Sequence, residues 1–290
     1  MPAPTARIAI LAAGLVVALL GGFGLGRVTS GDEPGTMAGP PVAAGAEASP
    51  HQHGTTAGQA TADVGGLAVS SGGYTLVPEA TSFSAGQPRD FAFRVVGRDG
   101  RPVTTFAIVH DKPLHLIVVR RDLSGYQHLH PAMATDGRWR VPLTLPAAGA
   151  WRAYADFTVD VGGQQTALTL GVDLSVTGDY AARALPVPAR DAAVAGFSVS
   201  YDGTPAPGAT QPLFFRVPGA TPERYLGAYG HLVVVREGDL GYVHVHPEDQ
   251  LIDGAVKFWL AVPSTGRYRM YFDFQVAGKV HTAEFTLVVS

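Results

Sequence analysis

The stretch H-L-I-V-V-R-R-D-L-S-G-Y-Q-H-L-H-P, residues 115 to 131, returns as H-L-V-V-V-R-E-G-D-L-G-Y-V-H-V-H-P, residues 231 to 247. His115, Tyr126, His128, His130 and Pro131 each recur 116 positions further on, so six of the ten histidines occupy two equivalent frames. The likeness continues outward. Phe93-Arg94-Val95 matches Phe215-Arg216-Val217, Gly149 matches Gly266, and Tyr154-Ala155-Asp156-Phe157 matches Tyr271-Phe272-Asp273-Phe274. A period of this length is that of a whole domain rather than of a solenoid repeat.

Around the quoted stretches the chain is cut into short apolar runs separated by turn residues. In the first copy these include F-A-F-R-V-V from Phe91, T-F-A-I-V from Thr105, W-R-V-P-L-T-L from Trp139 and W-R-A-Y-A-D-F from Trp151. No run has a helical period, and 36 glycines with 22 prolines fit many turns. About seven strands per copy at regular spacing predict an all-β chain of two tandem immunoglobulin-like antiparallel β-sandwiches. The expected boundaries are residues 67–177 for the first repeat, 178–192 for a linker containing P-V-P, and 193–290 for the second. Trp139, Trp151 and Trp259 read as core residues, and Arg120 and Arg236 as partners of nearby carboxylates or as cover for the sheet.

Residues 1–29 contain a nineteen-residue run without charge, Ile8 to Gly26, between Arg7 and Arg27. As a helix it would span roughly 28 Å, close to the hydrocarbon thickness of a bilayer. The expectation is a signal anchor, a single transmembrane helix that keeps the bulk of the chain extracytoplasmic; cleavage would make the protein secreted. Residues 30–66 are rich in Gly, Ala, Pro and Ser without apolar periodicity, which predicts a disordered tether. His51 and His53 within it carry little weight.

The net charge of −3 and the 16% of charged residues give no basic surface for nucleic acid. With no cysteine, thiolate metal sites, disulfides and a nucleophilic Cys are excluded.

The order F-R-V, turn, H-L-x-V-V-R, Y-x-H-x-H-P, a Gly before an aromatic strand and then Y-x-D-F resembles YtkA-like domains, exported bacterial immunoglobulin-like modules related to FixH-type extracytoplasmic proteins. The resemblance covers each repeat and not the tether. It implies export and a β-sandwich, and it supplies no catalytic residues.

In a strand, residues i and i+2 share a face, so Tyr126, His128 and His130 point one way. If Asp122 to Gly125 forms a four-residue hairpin loop, Arg121 pairs with Tyr126, Val119 with His128 and Ile117 with His130, and His115 falls diagonal to His130. The same reasoning groups His231, His244 and His246. Three imidazoles without thiolates suit copper first and zinc second. Met133 in the first copy, and Glu248 and Asp249 in the second, are candidate further ligands. Asp156 and Asp273 could orient an imidazole through its other nitrogen.

The functional expectation is therefore a membrane-tethered extracytoplasmic protein that binds or buffers a transition metal, with a metal-trafficking or envelope protein as partner. The alternative is a cell-surface interaction or assembly module whose histidines are structural. A single site shared between the repeats remains open at this level. An enzyme is not expected: the H-x-H motifs lack the acid, glycine and distant third His of the barrel oxygenases, and no G-x-S-x-G, P-loop or dinucleotide fingerprint occurs.

Overall fold

A computed structural model describes residues 64–290. The first repeat has ten strands: β1 (Ser70–Ser71), β2 (Tyr74–Pro78), β3 (Ser82–Ser84), β4 (Arg89–Val96), β5 (Leu114–Arg120), β6 (Gln127–Leu129), β7 (Ala132–Met133), β8 (Arg138–Leu143), β9 (Gly149–Val161) and β10 (Gln164–Thr177). The second has nine: β11 (Asp191–Val194), β12 (Phe197–Asp202), β13 (Thr210–Arg216), β14 (His231–Arg236), β15 (Tyr242–Val243), β16 (Val245–Ile252), β17 (Ala255–Ala261), β18 (Gly266–Val276) and β19 (Lys279–Val289). No helix occurs among the described residues, and none there is long and apolar enough to cross a membrane. The predicted anchor helix lies outside the described residues.

Each repeat packs two sheets over one core. The orders are β1-β2-β4-β8-β7 against β3-β10-β9-β5-β6, and β11-β12-β13-β17-β16 against β15-β14-β18-β19. Alternation explains the outer strands: in β8, Trp139, Val141 and Leu143 point inward while Arg138, Arg140 and Pro142 face out. Trp139 and Trp151 are fully buried. Trp259 is only half-buried, with its indole N–H donating to Glu248 (2.7 Å).

Two sequence expectations need correction. Residues 105–109 form only isolated bridges, Phe106 to Val159 and Val109 to Lys112, and not a ladder strand. The sheets are also not wholly antiparallel, because β3 runs parallel to the end of β10. The composition-based boundaries shift as well. Gly65 exchanges both backbone hydrogen bonds with Tyr242 (2.8 and 3.0 Å), so the chain is already docked before residue 67. At the other boundary, β11 starts inside the expected linker.

β5 and β14 differ from the outer strands: nearly every residue in them is buried. Leu114, Leu116 and Val118 enter the core of repeat 1, and Leu232 and Val234 that of repeat 2. The intervening Ile117, Val119, Val233 and Val235 form a third apolar cluster with Leu123, Tyr154, Leu240, Tyr242 and Tyr271. The repeats thus dock through their histidine-bearing sheets, each contributing equivalent residues, as in a two-fold interface. The contacts come in matched pairs. Tyr271 donates to the Leu123 carbonyl (2.6 Å) and Tyr154 to the Leu240 carbonyl (2.7 Å). Tyr126 stacks on Tyr271, and Tyr154 packs against Tyr242. Leu123 and Leu240 both have positive φ, +62° and +63°, a conformation that costs a non-glycine residue roughly 1–2 kcal/mol. The tyrosine hydroxyls from the opposite repeat hold those two turns.

Candidate metal centre

β5 and β6 pair Leu116 with Leu129, Ile117 with His128 and Val118 with Gln127. The expected register, Val119 with His128 and Ile117 with His130, is therefore off by two residues. The hairpin loop is longer than four residues: Leu123 donates back to Arg120 (2.8 Å), and Ser124 accepts from Arg120 (2.9 Å). A shift of two preserves the face of every side chain. Extended by one step, it sets His130 opposite His115 rather than diagonal to it.

His115, His128 and His130 converge. Each offers one ligand atom, and these atoms lie within 4.8 Å of one another. Ring centroids are separated by 5.2 Å (His115–His128), 5.1 Å (His115–His130) and 4.8 Å (His128–His130). Imidazoles bound to one ion at about 2.0–2.1 Å in a near-tetrahedral arrangement would have centroids roughly 5 Å apart.

The hydrogen bonds define which nitrogens are available. His115 Nε2 lies 3.1 Å from the Val109 carbonyl, which can only accept, so this nitrogen carries the proton. His128 Nδ1 lies 2.9 Å from Asp273 Oδ2. The same oxygen accepts from the Tyr126 hydroxyl (2.8 Å), and Asp273 Oδ1 accepts from Thr282 (2.6 Å). The carboxylate oxygens already accept from Tyr126 and Thr282 and serve as acceptors for the ring as well, so Nδ1 of His128 is the donor. The remaining nitrogens, His115 Nδ1 and His128 Nε2, face each other at 3.0 Å. With both rings neutral these are two opposed lone pairs, a repulsion that a bound cation would relieve. Two nitrogens bound to a single ion are separated by about 2.9–3.4 Å for angles of 90–110°. The third nitrogen, His130 Nε2, is buried and has no hydrogen-bond partner among the described residues.

The electrostatics favour neutral rings. Burial, then the neighbouring His128, pushes His115 down to about 4. His130 is pushed down to about 3 by burial, followed by His128, His115 and Lys112. Neutral imidazole is the metal-binding form, so no proton need be displaced from these two rings at pH 7.

The second copy is built differently, which corrects the expectation of two equal triads. β14 and β15 keep the equivalent register, Val234 with Val243 and Val235 with Tyr242. The chain then leaves this sheet at His244, and Val245 and His246 pair with Leu260 and Trp259 in the opposite sheet. In repeat 1 the crossing comes later, at His130 and Pro131. The early crossing carries His244 and His246 away together, with rings 4.6 Å apart. His231 keeps the anchoring bond of His115, with Nε2 3.2 Å from the Tyr225 carbonyl. Its ring turns to the first cluster, 6.0 Å from His115 and 5.8 Å from His128. Burial pushes it well below the ordinary histidine range.

Of the further candidates, Met133 packs against the core of repeat 1. Glu248 is bonded to Trp259 and Lys257. Asp273 does support an imidazole, but that of the other repeat. His110, which has no counterpart in the duplicated frame, lies 5.2 Å from His231 and 6.2 Å from His115. The pairing of the repeats was signalled by H-L-I-V-V-R and H-L-V-V-V-R themselves: a strand apolar at consecutive positions is covered on both faces.

Residues 68–175 and 192–290 each match the family model described as Domain of unknown function (DUF8832). The chain belongs to the DUF8832 family. A search of curated proteins finds none that matches it in sequence. Among solved structures, the adhesin FdeC of Escherichia coli is 17% identical with a TM-score of 0.27, over 77% of this chain and 66% of that one. Escherichia coli alpha-2-macroglobulin activated by porcine elastase gives 13% and 0.26, over 75% and 20%. A Corynebacterium diphtheriae protein described as membrane anchored gives 10% and 0.24, over 76% and 57%. The DUF8832 chain thus spans less than two thirds of each of these three structures. At such TM-scores they carry no argument about its function. The family match, on two separate stretches, agrees with two repeated β domains.

Proposed function

We propose that this protein binds a transition-metal ion, copper first and zinc second, through His115, His128 and His130 of its first repeat. The observation that carries the reading is the pair of opposed lone pairs at 3.0 Å beside the orphaned His130 nitrogen. Each of the paired rings is fixed by a bond from its other nitrogen, the arrangement that orients imidazole ligands in metal sites. An all-imidazole donor set lacks the thiolates that select Cu(I) and zinc clusters, and Cu(II) leads the affinity order. The role is one of holding or delivering the ion, with no catalytic step. The charge-free run from Ile8 to Gly26 supports tethering to the outer side of a membrane, and the Y-x-H-x-H-P resemblance to YtkA-like immunoglobulin-like modules agrees with export.

A second reading has its own support: the hydrogen bond between His128 Nδ1 and Asp273 fastens the docked repeats to each other. The histidines then fasten an interaction module and hold no metal. Calorimetric titration of the full chain with Cu(II) separates the two. The metal reading predicts saturation at one ion per chain, at least 100-fold weaker binding in the His128→Ala, His130→Ala double variant, and little change in His244→Ala, His246→Ala. Absence of saturable binding by the wild type leaves the fastening role.

A further inference from the structure

The two repeats place equivalent carboxylates in nearly equivalent surroundings, with one difference. Asp273 accepts from Thr282 and from Tyr126 of the other repeat. Asp156 accepts from Thr169 (2.9 Å) and interacts with the phenol of Tyr242 of the other repeat. Only Asp273 also holds a histidine, His128 Nδ1 at 2.9 Å. The residue equivalent to His128 is His244, which the early crossing of repeat 2 leaves exposed. The molecule therefore contains its own comparison: one carboxylate that holds an imidazole of the cluster by a hydrogen bond, and one that acts on His115 and His110 through its charge.

From this asymmetry we propose that the centre is shared between the repeats, with Asp273 of repeat 2 acting as a positioning residue that sets the metal affinity of repeat 1. This rests on the metal reading above. By accepting from Nδ1–H, the Asp273 carboxylate keeps the proton off Nε2 of His128, the nitrogen that faces His115. It also polarises the ring so that Nε2 is the better donor. Because the carboxylate arrives only when the repeats are docked, metal binding and docking strengthen each other by the same factor. His231, whose ring lies near both His115 and His128, comes to the cluster through the same docked interface.

The test compares Asp273→Asn with Asp156→Asn in the full chain, by competitive Cu(II) titration and by the electron paramagnetic resonance spectrum of the loaded protein. Both substitutions weaken a tyrosine contact across the interface, so thermal melting of the metal-free proteins serves to match their loss of docking. The expected result is an affinity about 10–100-fold lower in Asp273→Asn, the range found for removing a hydrogen-bond partner behind a ligand, with a changed copper spectrum. Asp156→Asn, which removes a charge near His115 but no bond to an imidazole, is expected to lower the affinity clearly less than Asp273→Asn and to leave the spectrum unchanged. Equal effects of the two substitutions would overturn the positioning role and leave docking alone. Wild-type-like binding by Asp273→Asn would overturn it outright while leaving the metal reading intact. Failure of the wild type to bind copper would remove both.

Discussion

Moving the metal-free chain from pH 7 to pH 5 is expected to remove about 2 kcal/mol of its folding stability through His115 alone. The figure follows from a group that titrates at 6.5 when free and at about 4 in the folded protein, inserted in the proton-linkage relation. The sign is fixed by the direction of the shift. Between pH 6.5 and about 4 the unfolded chain binds a proton that the folded chain refuses, so stability is present above 6.5 and is lost as the pH falls towards 4. The physical cause is burial, followed by the neighbouring His128. His130 is displaced in the same direction, with solvent screening a larger part of its effect, and so is His231. Surface carboxylates remain mostly ionised at pH 5, so the slope in this window reports the histidines. The assay is urea unfolding in the presence of a chelator, at pH 7 and pH 5, for the wild type and for a His115→Gln, His130→Gln variant. The variant is expected to lose clearly less stability between the two pH values. An equal loss in both proteins would refute the reasoning, because the proton uptake would then lie elsewhere.

The matched tyrosine bonds predict matched costs. Tyr271→Phe and Tyr154→Phe each leave a buried leucine carbonyl without its donor and are expected to lower stability by about 1–3 kcal/mol, read from denaturant midpoints. A large loss in one with none in the other would contradict the two-fold interface. Gly125→Ala should be costly, because φ is +70° and the new Cβ would lie 2.5 Å from the Trp151 ring, whereas Gly254→Ala, also at positive φ but in open space, should cost only about 1 kcal/mol. Thermal melting of the two variants checks the difference. Copper at 100 times its dissociation constant should stabilise the folded chain by about 2.7 kcal/mol. That gain should appear as a higher melting temperature and vanish on adding a chelator.

Much of the fold could be read from residue order because strand signals are local. Alternation along β8 and the glycines that open strands, Gly149 of β9 and Gly266 of β18, mark strands without tertiary information. The grouping of His115, His128 and His130 on one face needed the period of two and a hairpin register of the right parity, so an even register error left it unchanged. What the sequence concealed depends on contacts between distant segments. The place where each repeat crosses between sheets depends on long-range pairing, Ala132 with Arg140 in one and Val245 with Leu260 in the other, and two nearly identical motifs cross at different points. The partner of His128 is 145 residues away in the other repeat, and no spacing rule reaches it. The all-apolar faces of H-L-I-V-V-R and H-L-V-V-V-R carried the docking signal, but not the identity of the surface that covers them.

The central claim is that three imidazoles of one repeat hold one ion, and X-ray absorption on the chain loaded with a single equivalent of Cu(II) tests it most directly. The account predicts a first shell dominated by nitrogen at about 2.0 Å with the outer scattering of three imidazoles, lost in His128→Ala, His130→Ala and kept in His244→Ala, His246→Ala. A shell dominated by oxygen, or one with fewer than three imidazoles, or a spectrum altered equally by both pairs of substitutions, would contradict it.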